Sequence, residues 1–456
     1  MKTILYNPRN KGASLLLAFL LTLIIALPAR GADVPTTTTR FDYAVMFRQM
    51  LIEKVLPYWQ DSSVDRVYGG YLLSDNAARK VEPATEKQLV SQSRMIWAFS
   101  HAHLKGFSAG QRNYLESARQ GYEFLTRFFL DSQYGGYYWK TDREGRVIQP
   151  RKILYGQSFV IYALVEYYRA SGDRQALQHA RDLFATIQAK LHDPKHDGWF
   201  EHAERDFQLV LNPEDRRAEV EVAGRKSANA HLHWMEALSE LYEVTRDRNV
   251  RQALREALKL NSRYFYPVKP GLSRFHRMPD WQLVPNDPNP GLSYGHNVEF
   301  AWLMIRAEQV LRRTPTWYHF HAIMNHALQY GYDHVQGGLY NRGFDDQPAT
   351  DTQKIWWVQS EMLAALADGL AHEYNGAYAM ALDKLLAWLV QFQILPADGI
   401  WLESLDASGK TLSSSKAHAW KAAYHDVRGM VKFIETCLPL DPKDAEKNKG
   451  RHKAAR

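Results

Sequence analysis

The 456-residue sequence has a single cysteine, Cys437, so no disulfide can close within the chain. An oxidising compartment is therefore tolerated but not exploited. The chain has no HExxH pair or cysteine-rich metal motif, no GxxxxGK[ST] phosphate loop, no Rossmann glycine fingerprint opening a helix, and no GxSxG elbow. These absences argue against zinc, P-loop, dinucleotide and serine-hydrolase chemistry of the usual motif-bearing kinds. Charge of one sign is also missing where it would matter. The formal net charge is +7, but residues 1–31 contribute +4 and residues 441–456 contribute +3, leaving 47 basic and 47 acidic residues between Ala32 and Leu440. A nucleic-acid reader carries its basic excess on the folded body, and this body is neutral.

The first 31 residues read as an export leader. Lys2, Arg9 and Lys11 precede the uncharged apolar run Ala13–Leu27 of 15 residues, and Ala29, Gly31 and Ala32 offer small residues for cleavage. A membrane span needs about 20 apolar residues. The expected organisation is thus a leader at 1–31, one domain over 32–440 and a basic, solvated, disordered tail over 441–456. The mature protein would be periplasmic or secreted, with no stable membrane span.

What the chain has in quantity is repetition. A glycine followed by an aromatic or aliphatic residue recurs at Gly70, Gly136, Gly198, Gly271, Gly338 and Gly399, at intervals of 66, 62, 73, 67 and 61; the fourth member, Gly271-Leu272-Ser273, is the poorest. Each turn predicts a short hairpin, with glycine supplying a positive φ. Between the turns the apolar period is helical. Twelve segments are expected, near 41–60, 87–105, 111–129, 153–170, 174–191, 227–245, 248–266, 294–312, 316–331, 353–372, 376–394 and 417–436. Segment 294–312 sets Val298, Trp302, Ile305 and Val310 on one side, with Arg306 and Arg312 elsewhere. Six repeats of two helices with short β-hairpins at one end describe an all-α, (α/α)6 barrel. Such a ring outgrows the usual single-core size because each repeat packs on its neighbours.

In each repeat, the helix after the glycine turn starts with unusual polar or aromatic residues: Arg94, Gln157, His233, His296, Trp357 and His425. In a ring of inner helices these positions converge on one pocket. His233 comes late because a charged stretch, 203–226, is inserted. His296 and Glu299 lie at i, i+3, where a carboxylate can fix an imidazole's tautomer and raise its basicity; a capped helix with a structural histidine has the same spacing. Lys421, Tyr424, His425 and Arg428 form a polar stripe, readable as a site or as a solvated face. Asn229, His233 and Glu236 share a face, whereas His231 and His233 point to opposite sides, which disfavours a metal. Lys354, Trp357 and Glu361 share another face, and the adjacent pair Trp356–Trp357 can either stack on a sugar or fill the barrel core.

Several of these runs resemble one family. Lys226–Ala237, with its Asn229…His233…Glu236 spacing, is similar to the NxxxHxxEA segment of the N-acylglucosamine 2-epimerase superfamily. So are Ser293–Glu299, Lys354–Glu361 and Trp420–His425, while Arg94–Trp97 and Tyr155–Phe159 resemble its earlier motifs. The family has an (α/α)6 barrel and includes N-acylglucosamine 2-epimerase, cellobiose 2-epimerase and mannose isomerase. The runs at 226–237 and 294–296 look closest to the cellobiose 2-epimerase branch.

The resemblance implies an acid/base pair at His296 and His425, and at His233 a third histidine tied to ring opening. It also implies an arginine near the reacting oxygens at Arg94 and supporting carboxylates at Glu236, Glu299 and Glu361. Trp357 and Trp420 would contact sugar, and Tyr155, Gln157, Asn229 and Lys354 would be polar substrate-binding residues. No metal or redox cofactor is implied. The substrate would be a neutral mono- or disaccharide such as cellobiose, mannose or N-acylglucosamine, handled by a monomer or homodimer. The alternatives are an (α/α)6-barrel glycoside hydrolase or lyase, which needs two carboxylates flanking the cleaved bond, and a non-catalytic carbohydrate-binding protein.

Overall fold

The computed structural model describes residues 30, 38–73, 85–108, 112–215, 217, 219–287 and 290–438. The expected leader (apart from Arg30) and the expected tail lie outside the described residues. Outer helices are α1 (Arg40–Met50), continued by a π-type stretch into α2 (Leu56–Ser63), then α4 (Tyr114–Phe124), α6 (Arg174–Lys190), α8 (Arg248–Leu260), α10 (Trp317–His326) and α12 (Gly376–Trp388). Inner helices alternate with them: α3 (Leu89–Leu104), α5 (Leu154–Ser171), α7 (Ala228–Thr245), α9 (Tyr294–Val310), α11 (Trp356–His372) and α13 (His425–Cys437). Consecutive inner helices pack side by side. The ring closes where α3 meets the last repeat: Arg94 Nη1 donates to the Trp420 carbonyl at 2.7 Å, and Lys105 pairs with Glu435 at 2.5 Å. The arrangement is an (α/α)6 barrel.

Sequence pattern separates the two layers. On the outer helix α8, Val250, Ala253, Leu254, Ala257 and Leu258 are buried while the arginines between them face water, the one-sided stripe of a surface helix. Inner helices are enclosed all round, and the one-sided reading of 294–312 needs correction. On α9 every residue is buried except His296, Arg306 and Gln309. Short side-chain caps start the helices: Asp173, Asp247, Asn113 and Asn375 on the outer layer, Ser227 and Ser293 on the inner. Each cap contributes about 1 kcal/mol.

Five of the six glycine turns close as expected, through the antiparallel bridges Val64–Tyr71, Leu130–Tyr137, His192–Trp199, Tyr332–Leu339 and Ile394–Trp401. Their glycines, such as Gly136 at φ 69° and Gly198 at φ 77°, take the left-handed backbone. The fourth turn is different: Pro270–Leu272 forms a 3-10 turn, and Gly271 is not among the positive-φ residues. A second set of strands ties neighbouring repeats together. Glu86–Gln88 pairs with Lys140–Asp142, Lys152–Ile153 with His202–Ala203, Lys226–Ser227 with His276–Arg277, Leu292–Ser293 with Arg342–Gly343, and Lys354–Ile355 with Ser404–Leu405. The first strand of each pair leads directly into an inner helix, so the strands ring one mouth of the barrel.

The last helix starts eight residues later than expected. His418 and Lys421 exchange backbone hydrogen bonds at 3.2 and 3.0 Å in a tight turn, so Lys421 and Tyr424 precede α13 instead of sharing its face. Among the described residues, no helix is long and apolar enough to cross a membrane.

Candidate active site

A cavity of about 170 Å³ sits inside the strand-ringed mouth, at the N-terminal ends of the inner helices. It is lined by Arg94 of α3, Tyr155 of α5, Asn229 and His233 of α7, His296 and Glu299 of α9, Trp356 and Trp357 of α11, Trp420 and His425. Nine of the thirteen residues singled out in the sequence thus meet in one place.

Each histidine is held through Nδ1, which leaves Nε2 as the atom available to the cavity. His233 Nδ1 bonds Glu236 Oε2 at 2.8 Å, and His425 Nδ1 bonds Glu361 Oε1 at 2.7 Å. A carboxylate can only accept, so these two rings carry the proton on Nδ1 and present a lone pair at Nε2. His296 differs from the sequence reading: its Nδ1 partner is the Ser293 hydroxyl at 2.9 Å, not Glu299. His296 and His425 both pack on Trp357, at 4.7 and 5.8 Å between ring centroids. The close approach of Trp357 requires Gly295, where a Cβ would come within 2.6 Å of the indole.

Behind the histidines lies a buried charge cluster centred on Arg428. Its Nη1 meets Glu236 at 2.5 Å and the Tyr424 hydroxyl; its Nη2 meets Glu299 at 2.5 Å and Glu361 at 2.8 Å. One guanidinium cannot neutralise three buried carboxylates. Burial and the neighbouring Glu361 charge push Glu299 well above the usual carboxylate range, against the pull of Arg428, so it holds a proton. Burial would raise Glu361 too, but Arg428 and His425 outweigh it and bring it down to about 2. Burial also drives the histidines down: His425 to about 3 against the opposing Glu361 charge, His296 well below its usual value, and His233 downward against Glu236. All three imidazoles are neutral at neutral pH.

Arg94 is fixed on the opposite wall. Its Nη2 donates to the Tyr155 hydroxyl at 2.9 Å and its guanidinium stacks over Phe159 at 4.6 Å. The inserted stretch 203–226 packs against this mouth. Glu221 accepts from Asn229 Nδ2 at 3.2 Å, and Glu219 accepts from the Trp139 indole at 2.9 Å.

Four of the expected residues are placed elsewhere. Gln157 is buried with both amide atoms spent on the Tyr137 backbone, at 2.9 and 2.8 Å. Gln92 does the same for Tyr71 and Gln359 for Leu339, so a glutamine ties three of the turns to their inner helices. Pocket residues such as Tyr155, Trp357 and Arg94 stand two positions away, on the other side of the helix. Lys354 is fully buried and bonds Asp333 at 2.8 Å and the Gly337 carbonyl at 2.7 Å. Lys87–Asp65, Lys152–Asp131 and Lys226–Asp193 repeat the device. Glu236 and Glu361 stand behind the histidines without lining the cavity. Trp356, paired with Trp357 in the sequence as a sugar-stacking candidate, does line the cavity, while Ser293 and the central role of Arg428 went unrecognised there. A lone arginine among Val427, Gly429, Met430 and Val431 was the available signal for the last.

Two sets, His233–Glu236–Glu299 and Glu299–Glu361–His425, bring ligand-type atoms within 4.8 Å of one another, as a metal site would. The Arg428 guanidinium already bonds every carboxylate in both, so a metal ion would have to displace it.

The model of the N-acylglucosamine 2-epimerase (GlcNAc 2-epimerase) family matches residues 69–428. The chain belongs to that family. Its relatives include a cellobiose 2-epimerase of Bacteroides fragilis, 27% identical over 390 residues, covering 84% of this chain and 96% of the relative. A D-mannose isomerase of Marinomonas mediterranea is 24% identical over 406 residues, covering 86% and 97%. Among solved structures, the cellobiose 2-epimerase of Spirochaeta thermophila superposes with a TM-score of 0.78 at 27% identity, covering 89% of this chain and 100% of that one. Like these relatives, this family member is a carbohydrate epimerase/isomerase.

Proposed function

We propose that the enzyme moves a proton at C2 of an open-chain aldose, giving either the C2 epimer or the ketose. The observation that carries this reading is the pair of neutral histidines, His296 and His425, packed on one tryptophan with Nε2 free toward one cavity. The C2 hydrogen of an aldose is acidified by the adjacent carbonyl. A neutral imidazole can remove it, and such general-base help is worth about 10²–10⁴ in rate. The resulting enediolate is anionic, and Arg94, fixed by Tyr155 and largely shut off from water, stands where that charge can be met. With His425 as the base, His296 can return a proton to C2 from the opposite face, because its Nδ1 can accept from the Ser293 hydroxyl and leave the proton on Nε2, and this yields the epimer; return to C1 yields the ketose. His233, held by Glu236, serves the ring-opening proton transfer. A narrow cavity with flanking Trp420 and Trp357 suits one neutral sugar ring, and the names of the relatives favour cellobiose or mannose.

Glycosidic cleavage is disfavoured because Glu236 and Glu361 are consumed by Arg428 and the histidines. The test is incubation of cellobiose, mannose and N-acetylglucosamine with the enzyme in D2O. Deuterium at C2 or C1 without chain cleavage is the expected result. Release of monosaccharide without exchange would overturn the reading.

A further inference from the structure

The inner helices carry polar side chains along their whole length, and a second cavity of about 580 Å³ opens toward their C-terminal ends, on the far side of Arg428. Its volume is in the range of small-molecule sites. One wall is a stack of three near-parallel rings: Trp97 lies 4.5 Å from His101 and 5.5 Å from Tyr162. Trp97 and Tyr162 are only 3% and 8% exposed, yet neither the indole N–H nor the phenol O–H bonds any described residue. His101 gives Nδ1 to Glu166 at 2.6 Å, leaving Nε2 over. These atoms are open to the cavity, where a ligand's hydroxyls can replace the water that would otherwise meet them.

The remaining wall says what kind of ligand. Every cation there is already matched: Lys105 by Glu435, Arg169 and Arg306 together by Glu240 and Glu243, Lys432 by Asp368, and Arg428 by its three carboxylates, at 2.5–3.0 Å. No positive charge is left over for a phosphate or carboxylate. Unspent hydrogen-bonding atoms on aromatic faces, within a charge-balanced wall, suit the mixed apolar and hydroxylated surfaces of a polyol.

We infer that this distal cavity is a second binding site, for a small neutral polyol such as a sugar or sugar alcohol. Its floor is formed by Glu236 and Arg428, the groups that hold the histidines of the catalytic mouth from behind. An occupant there touches the catalytic support without entering the reaction.

The test is calorimetric titration of the full chain with D-mannitol, which has no carbonyl to react, and in parallel with D-gluconate, of similar size but charged. Two binding events are expected for mannitol. Tyr162→Phe, which keeps the ring stack and loses one hydroxyl, should weaken one of them about five- to tenfold and leave turnover within about twofold. Leu303→Trp, which puts an indole into the cavity, should weaken the same event. A single mannitol event indifferent to both variants would overturn the site; so would two events with neither variant touching either. Should Leu303→Trp fail to fold, Tyr162→Phe alone decides. Gluconate producing the Tyr162-sensitive event would overturn the assignment to neutral ligands. Because the readout is binding, these outcomes are separate from those of the exchange assay.

Discussion

The Lys–Asp pairs under the turns and the Arg428 cluster on the axis use the same materials, buried cations against buried carboxylates, for different ends. Lys87–Asp65, Lys152–Asp131, Lys226–Asp193 and Lys354–Asp333 recur with the repeat, at 2.8–3.1 Å, and each ties a strand to the turn before it. The Arg428 cluster occurs once. Its three carboxylates come from three different inner helices, and two of them end on histidines. Residues that obey the repeat build the ring; residues that break it carry the chemistry. Gln157 was expected in the site from its place at a helix start, and Lys354 from the face it shares with Trp357 and Glu361. They have counterparts in other repeats, and His296, His425 and Arg428 do not.

This contrast can be broken from either side. The largest effect is expected at the histidines: His425→Asn should cut turnover about 10²–10⁴-fold with the melting curve unmoved, read by steady-state kinetics beside thermal unfolding. Arg428→Met should damage both properties, because it strands buried carboxylates; a stability loss of about 3–5 kcal/mol is expected by urea unfolding, with turnover at background. Lys354→Met should lose a similar order of stability, since Asp333 is left buried and unpaired, but the remaining folded enzyme should keep kcat and KM within about twofold. The smallest effect belongs to Ser293→Ala, which removes an α9 cap worth about 1 kcal/mol and the Nδ1 partner of His296. Its signature is a changed pH profile, with little change in KM.

The pH dependence follows from the direction of the histidine shifts. Folded His425 titrates near 3, below the 6.5 of an unperturbed imidazole, so the unfolded chain binds more protons as pH falls. Stability contributed by the neutral buried ring is therefore full above about 6.5 and drains away as pH drops from there toward 3. Unfolding free energy measured from pH 7 to 5 should fall, while activity of the folded fraction should persist below pH 6.5. An acid limb of activity at 6.5 or above would mean that the histidines are not desolvated as the structure has them.

The ring was legible because glycine at a positive φ is a sharp signal, and it recurs at five of the six turns. The fourth repeat blurs because Pro270 forces a 3-10 turn and Gly271 needs no left-handed backbone. The start of α13 was misread since the apolar period runs back through residues 417–424, while the His418–Lys421 turn interrupts the helix there. Convergence of Arg94, His233, His296, Trp357 and His425 was legible from their shared place at the helix starts. Depth along the barrel axis was not. Glu299 follows His296 by three residues, yet it lies one turn deeper and meets Arg428, while Ser293 takes the imidazole. Spacing gives the face of a helix, and only packing of six helices together tells which layer each residue reaches.

The most direct measurement sets the two kinds of residue side by side in one assay: solvent-deuterium incorporation at sugar C2 by wild type, His425→Asn and Lys354→Met, with unfolding followed on the same samples. The account predicts that Lys354→Met melts early but exchanges at nearly the wild-type rate per folded molecule, and that His425→Asn keeps its fold and exchanges no deuterium. The reverse pattern, exchange surviving without His425 and vanishing in folded Lys354→Met, would contradict it.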